Sequence, residues 1–172
     1  MRPCRGAKCN KRTPNERIKN RKVGDRAVAE WLIGKQRHTI DDKNRVFIPS
    51  KFLKKLGNRI FVTKSLTGNC IRIYSLEGFD SYVADTLSRL PKVKAGEMLS
   101  WLGSNSEELQ ADSQGRIALP TEYRDFAGLE KNVVSSGAFD HVELWDEATF
   151  DKQDVGMDVG GIRALLESRE DT

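Results

Sequence analysis

The sequence predicts a mainly β chain with short helices, an α+β fold made by repeating one supersecondary unit. Two observations carry that prediction. The run His38-Thr39-Ile40-Asp41-Asp42-Lys43-Asn44-Arg45-Val46-Phe47-Ile48-Pro49 is matched seventy-one residues later by Leu109-Gln110-Ala111-Asp112-Ser113-Gln114-Gly115-Arg116-Ile117-Ala118-Leu119-Pro120. Beyond the run the register persists, with Phe52 on Tyr123, Gly57 on Gly128, Ile71 on Val142, Ile73 on Leu144, Tyr74 on Trp145 and Phe79 on Phe150. One offset kept over so long a stretch marks two copies of a unit that share a core.

Each copy reads as strand, turn, strand, short helix, strand, turn, strand. Gly34 to Ile40 can run as a first strand, and Asp41-Asp42-Lys43-Asn44 as a turn. Asp at its first position accepts a backbone N–H two residues on. Asn44 tolerates the left-handed conformation that Gly115 adopts freely at the equivalent place. Arg45 to Ile48 is a strand rich in branched and aromatic residues, ended by Pro49, which cannot donate to a sheet ladder. Ser50 is positioned to cap a helix from Lys51 to Leu56 that Gly57 terminates, with Thr121 and Gly128 bracketing the second copy alike. Ile60 to Thr63 and Cys70 to Tyr74 are strands around a Gly68-Asn69 turn.

Between the copies, Leu76 to Leu90 and Lys92 to Leu102 carry helical spacing on either side of Pro91. Phe79, Val83, Leu87 and Leu90, then Met98, Leu99, Trp101 and Leu102, are expected to pack in the core. Asp146 to about Lys152 is a short helix. Gly156, Gly160 and Gly161 mark a flexible join to a last helix, Ile162 to Arg169. The domains read as a basic, disordered arm over residues 1–31, a first repeat over 32–79, a helical connector over 80–106, a second repeat over 107–152 and a C-terminal tail over 153–172.

The chain has 172 residues, enough for two small units with a common core. No apolar run approaches the roughly 18 residues of a membrane span. The N-terminus is basic but lacks the apolar core of a secretory signal, and three cysteines make no disulfide framework. Both features lead to the expectation of a cytoplasmic protein. The net charge of +4 is unevenly spread. Residues 1–37 carry a net +9 and residues 38–172 a net −5, so an argument for nucleic-acid binding has to be made locally for the repeats.

The chemistry of the motif admits two readings. An Asp and an Arg four apart across a tight turn can brace that turn. The same turn, projecting Lys43 and Arg45, also offers a phosphate contact and a guanidinium able to fork onto a guanine edge.

The run from His38 to Pro49, with Asp112 to Pro120 and Glu143-Leu144-Trp145, resembles the MraZ family of bacterial transcriptional regulators, and the repeated unit is similar to the SpoVT/AbrB swapped-hairpin domain. The resemblance covers about residues 32–152. It implies a duplicated swapped-hairpin β-barrel with helices between the repeats, and subunits joined in a ring of eight or twelve. It also implies nucleoid-associated binding of double-stranded promoter DNA with short direct repeats, usually as a repressor of the division and cell-wall gene cluster. By this resemblance the DNA contacts fall to Lys43 and Arg45 foremost and Arg116 second, with Asp41, Asn44, Asp112 and Gly115 shaping the turns. Asn44 departs from the glycine usual in the family, and Gln114 stands where a lysine would match Lys43.

Other classes find less support. There is no phosphate-cradling glycine loop, no Gly-x-Ser-x-Gly elbow and no His-Glu-x-x-His, so no enzyme and no cofactor are expected. Asp140-His141 and Ser135-Ser136 are neighbours in sequence without the spacing of any catalytic signature. Cys4 and Cys9 lack the second His/Cys pair a zinc site needs, and His38 and His141 read as half-buried strand residues, so no metal is expected. An antitoxin-like module binding a partner protein as well as DNA is the alternative, and the duplication speaks against it.

Overall fold

Residues 31–156 and 159–167 are described by a computed structural model of the chain. The expected disordered arm up to Glu30, with Cys4 and Cys9, lies outside the described residues, as does the end of the last predicted helix.

Branched and aromatic residues build the inner strands, whereas the strands at Lys35–Thr39 and Ser106–Gln110 are mostly polar. The first half supplies β1 (Lys35–Thr39), β2 (Arg45–Phe47), helix α1 (Ser50–Leu56), β3 (Arg59–Lys64) and β4 (Ile71–Ser75). The second half supplies β5 (Ser106–Gln110), β6 (Arg116–Ala118), α4 (Thr121–Phe126), β7 (Asn132–Gly137) and β8 (Val142–Asp146). Helices α2 (Leu76–Ser88) and α3 (Lys92–Ser104) lie between the halves, and α5 (Glu147–Gly156) and α6 (Val159–Glu167) follow them. The chain is thus α+β, with its strands in antiparallel sheets, as its sequence predicts. Among the described residues no helix is long and apolar enough to cross a membrane.

The strands exchange partners between halves. A six-stranded antiparallel sheet runs β1-β7-β8-β4-β3-β5, and β2 pairs with β6 apart from it. β1 lies on β7 of the other half, with His38 opposite Val133, while β5 lies on β3, with Leu109 opposite Ile60. At the centre of the sheet Arg72 faces Glu143, flanked by Ile71 on Leu144 and Ile73 on Val142. In the small sheet Val46 faces Ile117. Both central pairs join residues seventy-one apart, so a pseudo-twofold axis passes through them. Arg72 and Glu143 approach to 3.5 Å as an ion pair, and the Glu143 carboxylate also accepts from the Trp145 indole at 3.1 Å.

The core lies around that axis. Val46, Ile48, Phe52, Ile60, Val62, Ile71 and Ile73 from one half meet Ile117, Leu119, Tyr123, Val133, Val142 and Leu144 from the other in one buried cluster. Each large side chain buried there contributes about 1.5–3 kcal/mol.

Three expectations need correction. Ser50 and Thr121 do not cap their helices but open them. The cap positions are Pro49 and Pro120, whose fixed extended backbones aim their carbonyls at the N–H groups of Phe52 and Leu53, and of Tyr123 and Arg124. Gly57, at φ 84°, does end α1.

The helical hairpin is not core. Only Leu102 of α3 is buried and no residue of α2 is, while Val93 is 79% and Leu99 52% exposed. The reason is placement: α2 covers β3 and β4 through a Phe79–Phe61 stack at 5.0 Å and a Tyr82–Tyr74 stack at 4.9 Å, while α3 lies against α2 and meets the sheet at its edge strand β5.

At the C-terminus, Gly160 and Gly161 lie inside α6 rather than in a join, and α5 extends past Lys152 to Gly156. The Asp146 carboxylate accepts from the Thr149 N–H at 3.1 Å in the first turn of α5. His38 is half-buried on β1, whereas His141 is buried and sits just ahead of β8.

Candidate nucleic-acid interface

Two turns, one per half, bring the motif residues together. In the first, the Asp41 N–H donates to the Arg45 carbonyl at 3.0 Å and the Asn44 N–H to the Asp41 carbonyl at 3.0 Å. Asp41 Oδ1 accepts the Lys43 and Arg45 backbone N–H groups, both at 2.9 Å. Its Oδ2 takes Nε and Nη2 of Arg45, each at 2.7 Å. The second turn repeats this: Asp112 Oδ1 accepts from Gln114 and Arg116 N–H at 2.9 Å, and Oδ2 takes Arg116 Nε at 3.0 Å and Nη2 at 2.9 Å. In both turns the corner residue, the one before the arginine, is left-handed. Asn44 has φ 55° and Gly115 φ 76°.

These contacts keep both carboxylates ionised. The Arg45 guanidinium, then the Arg45 N–H, hold Asp41 down at about 2. Asp112 is also lowered, by the Arg116 N–H foremost and its guanidinium next. Arg45 remains 30% exposed, and its Nη1 has no protein partner among the described residues. Lys43 is exposed and has no side-chain partner among them either. Gln114, its counterpart, is exposed and neutral, so the second turn presents one cation fewer.

The corners are tied to each other. The Asn44 carbonyl accepts from the Leu119 N–H at 3.0 Å, and the Gly115 carbonyl from the Ile48 N–H at 2.8 Å. Each half thus holds the other's turn. Arg124 on α4 adds a contact that sequence reasoning missed: its Nη1 donates to Asn44 Oδ1 at 2.6 Å and its Nε to the Leu129 carbonyl at 2.8 Å. Seventy-one residues earlier stands Leu53, whose Cδ1 would come within 2.9 Å of a Cβ on Gly115. The sequence holds a signal for this, because the copies differ at 44/115 and at 53/124 together.

Open grooves lie at related places in the two halves, one lined by Ser50, Leu53, Lys54 and Asn58 with Asp112 to Gly115 of the second turn, the other by Thr121, Arg124 and Asp125 with Gly128 to Lys131. Several acidic groups are matched locally: Glu108 with Arg59, Glu147 and Asp151 with Arg37, and Asp154 with Lys35. Ser135 meets Nε2 of His38 at 2.7 Å, while His141 binds Asp140 and Glu143, so the Ser, His and Asp side chains do not converge. Among the described residues no three His, Cys, Asp or Glu side chains are grouped to hold a metal ion.

Comparison with known proteins gives a consistent answer. A family model described as "MraZ protein, putative antitoxin-like" matches residues 31–97 and 103–155, including both turns. The chain is 35% identical over 130 residues to a transcriptional regulator MraZ of Caldanaerobacter subterraneus, covering 74% of this chain and 90% of that protein. It is 38% identical over 130 residues to the one of Thermoanaerobacter pseudethanolicus, with the same coverage. Against the one of Acetivibrio thermocellus it is 38% identical over 122 residues, 69% of this chain and 82% of the relative. The chain belongs to the MraZ family.

Proposed function

We propose that the chain is a sequence-specific, DNA-binding transcriptional regulator and not an enzyme. It reads short direct repeats in double-stranded promoter DNA, as a repressor of the division and cell-wall gene cluster, in the cytoplasm and at the nucleoid. The observation that carries this reading is the first turn. There Asp41 grips one edge of the Arg45 guanidinium through Nε and Nη2, leaving Nη1, like the exposed Lys43 two residues earlier, without a partner among the described residues. A guanidinium fixed on one edge and free on the other is prepared for a guanine O6/N7 edge, and the Lys43 ammonium for a phosphate. Asp41, Asp112, Asn44 and Gly115 hold the turns in shape, and Arg116 is the weaker contact because Gln114 brings no charge. Residues 32–79 and 107–152 serve as the two repeats, 80–106 as their connector, 1–31 as an arm and 153–172 as a tail.

A ring of chains suits this role. The exposed apolar side chains of α2 and α3, Leu76, Val93 and Leu99 among them, support a subunit contact there. Many first turns on one ring then meet many repeats, and affinity grows through multivalency. The family description's "antitoxin-like" favours a second reading, a module that also binds a partner protein.

The test is a salt titration of the full chain on a promoter fragment with tandem repeats and on a scrambled fragment. Preference for the repeats, a steep fall with salt and its loss in Arg45→Ala support the reading. Equal binding of both fragments by parent and variant refutes it.

A further inference from the structure

We propose that Arg124 is a positioning residue for DNA reading: from α4 of the second repeat it fixes the corner of the first repeat's turn through Asn44, and so sets the direction of Lys43 and Arg45. The inference rests on the DNA-binding reading above and adds to it a residue that touches no DNA.

Asn44 lies between the two proposed DNA contacts and holds a left-handed backbone that only glycine adopts without cost. Its Oδ1 accepts a charge-assisted bond from Arg124 Nη1 at 2.6 Å. The same guanidinium is fixed at its other end, because Nε donates to the Leu129 carbonyl at 2.8 Å. The corner is therefore clasped through its side chain by Arg124 and through its carbonyl by the Leu119 N–H, both from the opposite repeat.

The second turn solves the same problem apolarly. Leu53, in the position equivalent to Arg124, lies where a Cβ on Gly115 would sit 2.9 Å from its Cδ1. Asparagine goes with arginine and glycine with leucine, as two matched pairs. The polar clasp belongs to the turn that carries Lys43; the apolar lid belongs to the one that carries Gln114. Arg124 thus stiffens the turn with more charge to place.

The experiment measures affinity of the full chain for a labelled promoter fragment with tandem repeats, over a salt series. The variants are Lys43→Ala, Arg45→Ala, Arg124→Leu, Asn44→Gly and the double Asn44→Gly/Arg124→Leu. Arg124→Leu and Asn44→Gly should each weaken binding about 3- to 30-fold, and the double, which installs the second turn's own pair, should return to within about threefold of the parent. The salt slope should stay at the parent value in Arg124→Leu, whereas Lys43→Ala should lower it by about 0.9 for a lost phosphate contact.

Parent-like binding by Arg124→Leu overturns the proposal. So does a salt slope reduced as in Lys43→Ala, which would make Arg124 a contact itself, or a double no better than its weaker single. If Arg124→Leu does not fold, Asn44→Gly and the double still decide. Parent-like binding by both Lys43→Ala and Arg45→Ala instead removes the DNA reading and this proposal with it. Loss in those two with no change at Arg124 or Asn44 removes the positioning role alone.

Discussion

His38 on β1 meets Ser135 on β7 at 2.7 Å, Nε2 to Oγ, so the exchanged edge strand of one half is pinned to the sheet of the other by a side-chain bond as well as by its ladder. Ser135 is fully buried. Ser135→Ala leaves the imidazole facing an apolar methyl, and should lower stability by about 0.5–1.5 kcal/mol, or more with the nitrogen left unpaired. Chemical denaturation of parent and variant checks this; unchanged midpoints would mean that the ladder alone holds the edge.

The two histidines should respond to pH with opposite sign. Burial pushes His38 below its ordinary 6.5, so protonation opposes folding and stability is lost as pH falls below that value. Burial also pulls on His141, but hydrogen bonds to the Asp140 and Glu143 carboxylates outweigh it and raise the value. Its contribution is full below 6.5 and fades as pH rises through the higher folded value. Melting temperatures between about pH 5 and 8 should show a flatter acid limb in His38→Gln and a flatter neutral limb in His141→Gln. Parallel curves for parent and both variants would contradict the assignment.

Asp41 carries its turn through charge. Its carboxyl is held at about 2 against an ordinary 3.8, so its contribution is complete above 3.8 and is lost as pH falls towards 2. Asp41→Asn keeps the shape but loses the paired charge. It should lower the melting temperature at neutral pH while leaving acid stability near that of the parent. Equal differences at both pH values would show that shape, not charge, matters.

Gly115 is limited by space as well as by backbone. At φ 76° with Leu53 against it, Gly115→Asn should cost about 1–3 kcal/mol although asparagine serves at the related corner. Thermal unfolding decides, and a variant as stable as the parent would show that Leu53 moves aside freely.

What the sequence made legible was what repeats. The offset of seventy-one residues located both turns, and Asp at the first position with Asn44 or Gly115 at the corner foretold their hydrogen bonds, because those depend on residues within a few positions of each other. Contacts that cross between halves were less visible. Arg124 on Asn44 joins residues eighty positions apart, and only the joint departure of two positions from the repeat hints at it. The helical hairpin misled because amphipathic spacing shows that a face is apolar without showing what will lie against it. The helix starts misled because a proline carbonyl took the place of the expected hydroxyl caps.

Arg72 and Glu143 occupy the same place in the two copies and meet on the pseudo-twofold axis. In an assembly of identical units, a residue on the axis confronts itself. The first copy paired with another first copy would set guanidinium against guanidinium in the half-buried centre of the sheet, and a pair of second copies would set carboxylate against carboxylate. With both copies in one chain this position holds an arginine in one half and a glutamate in the other, so pairing of unlike halves is favoured over pairing of like ones. Strand exchange, which among identical units invites promiscuous swapping between molecules, is here given an electrostatic preference for the complementary half that the linker already holds close.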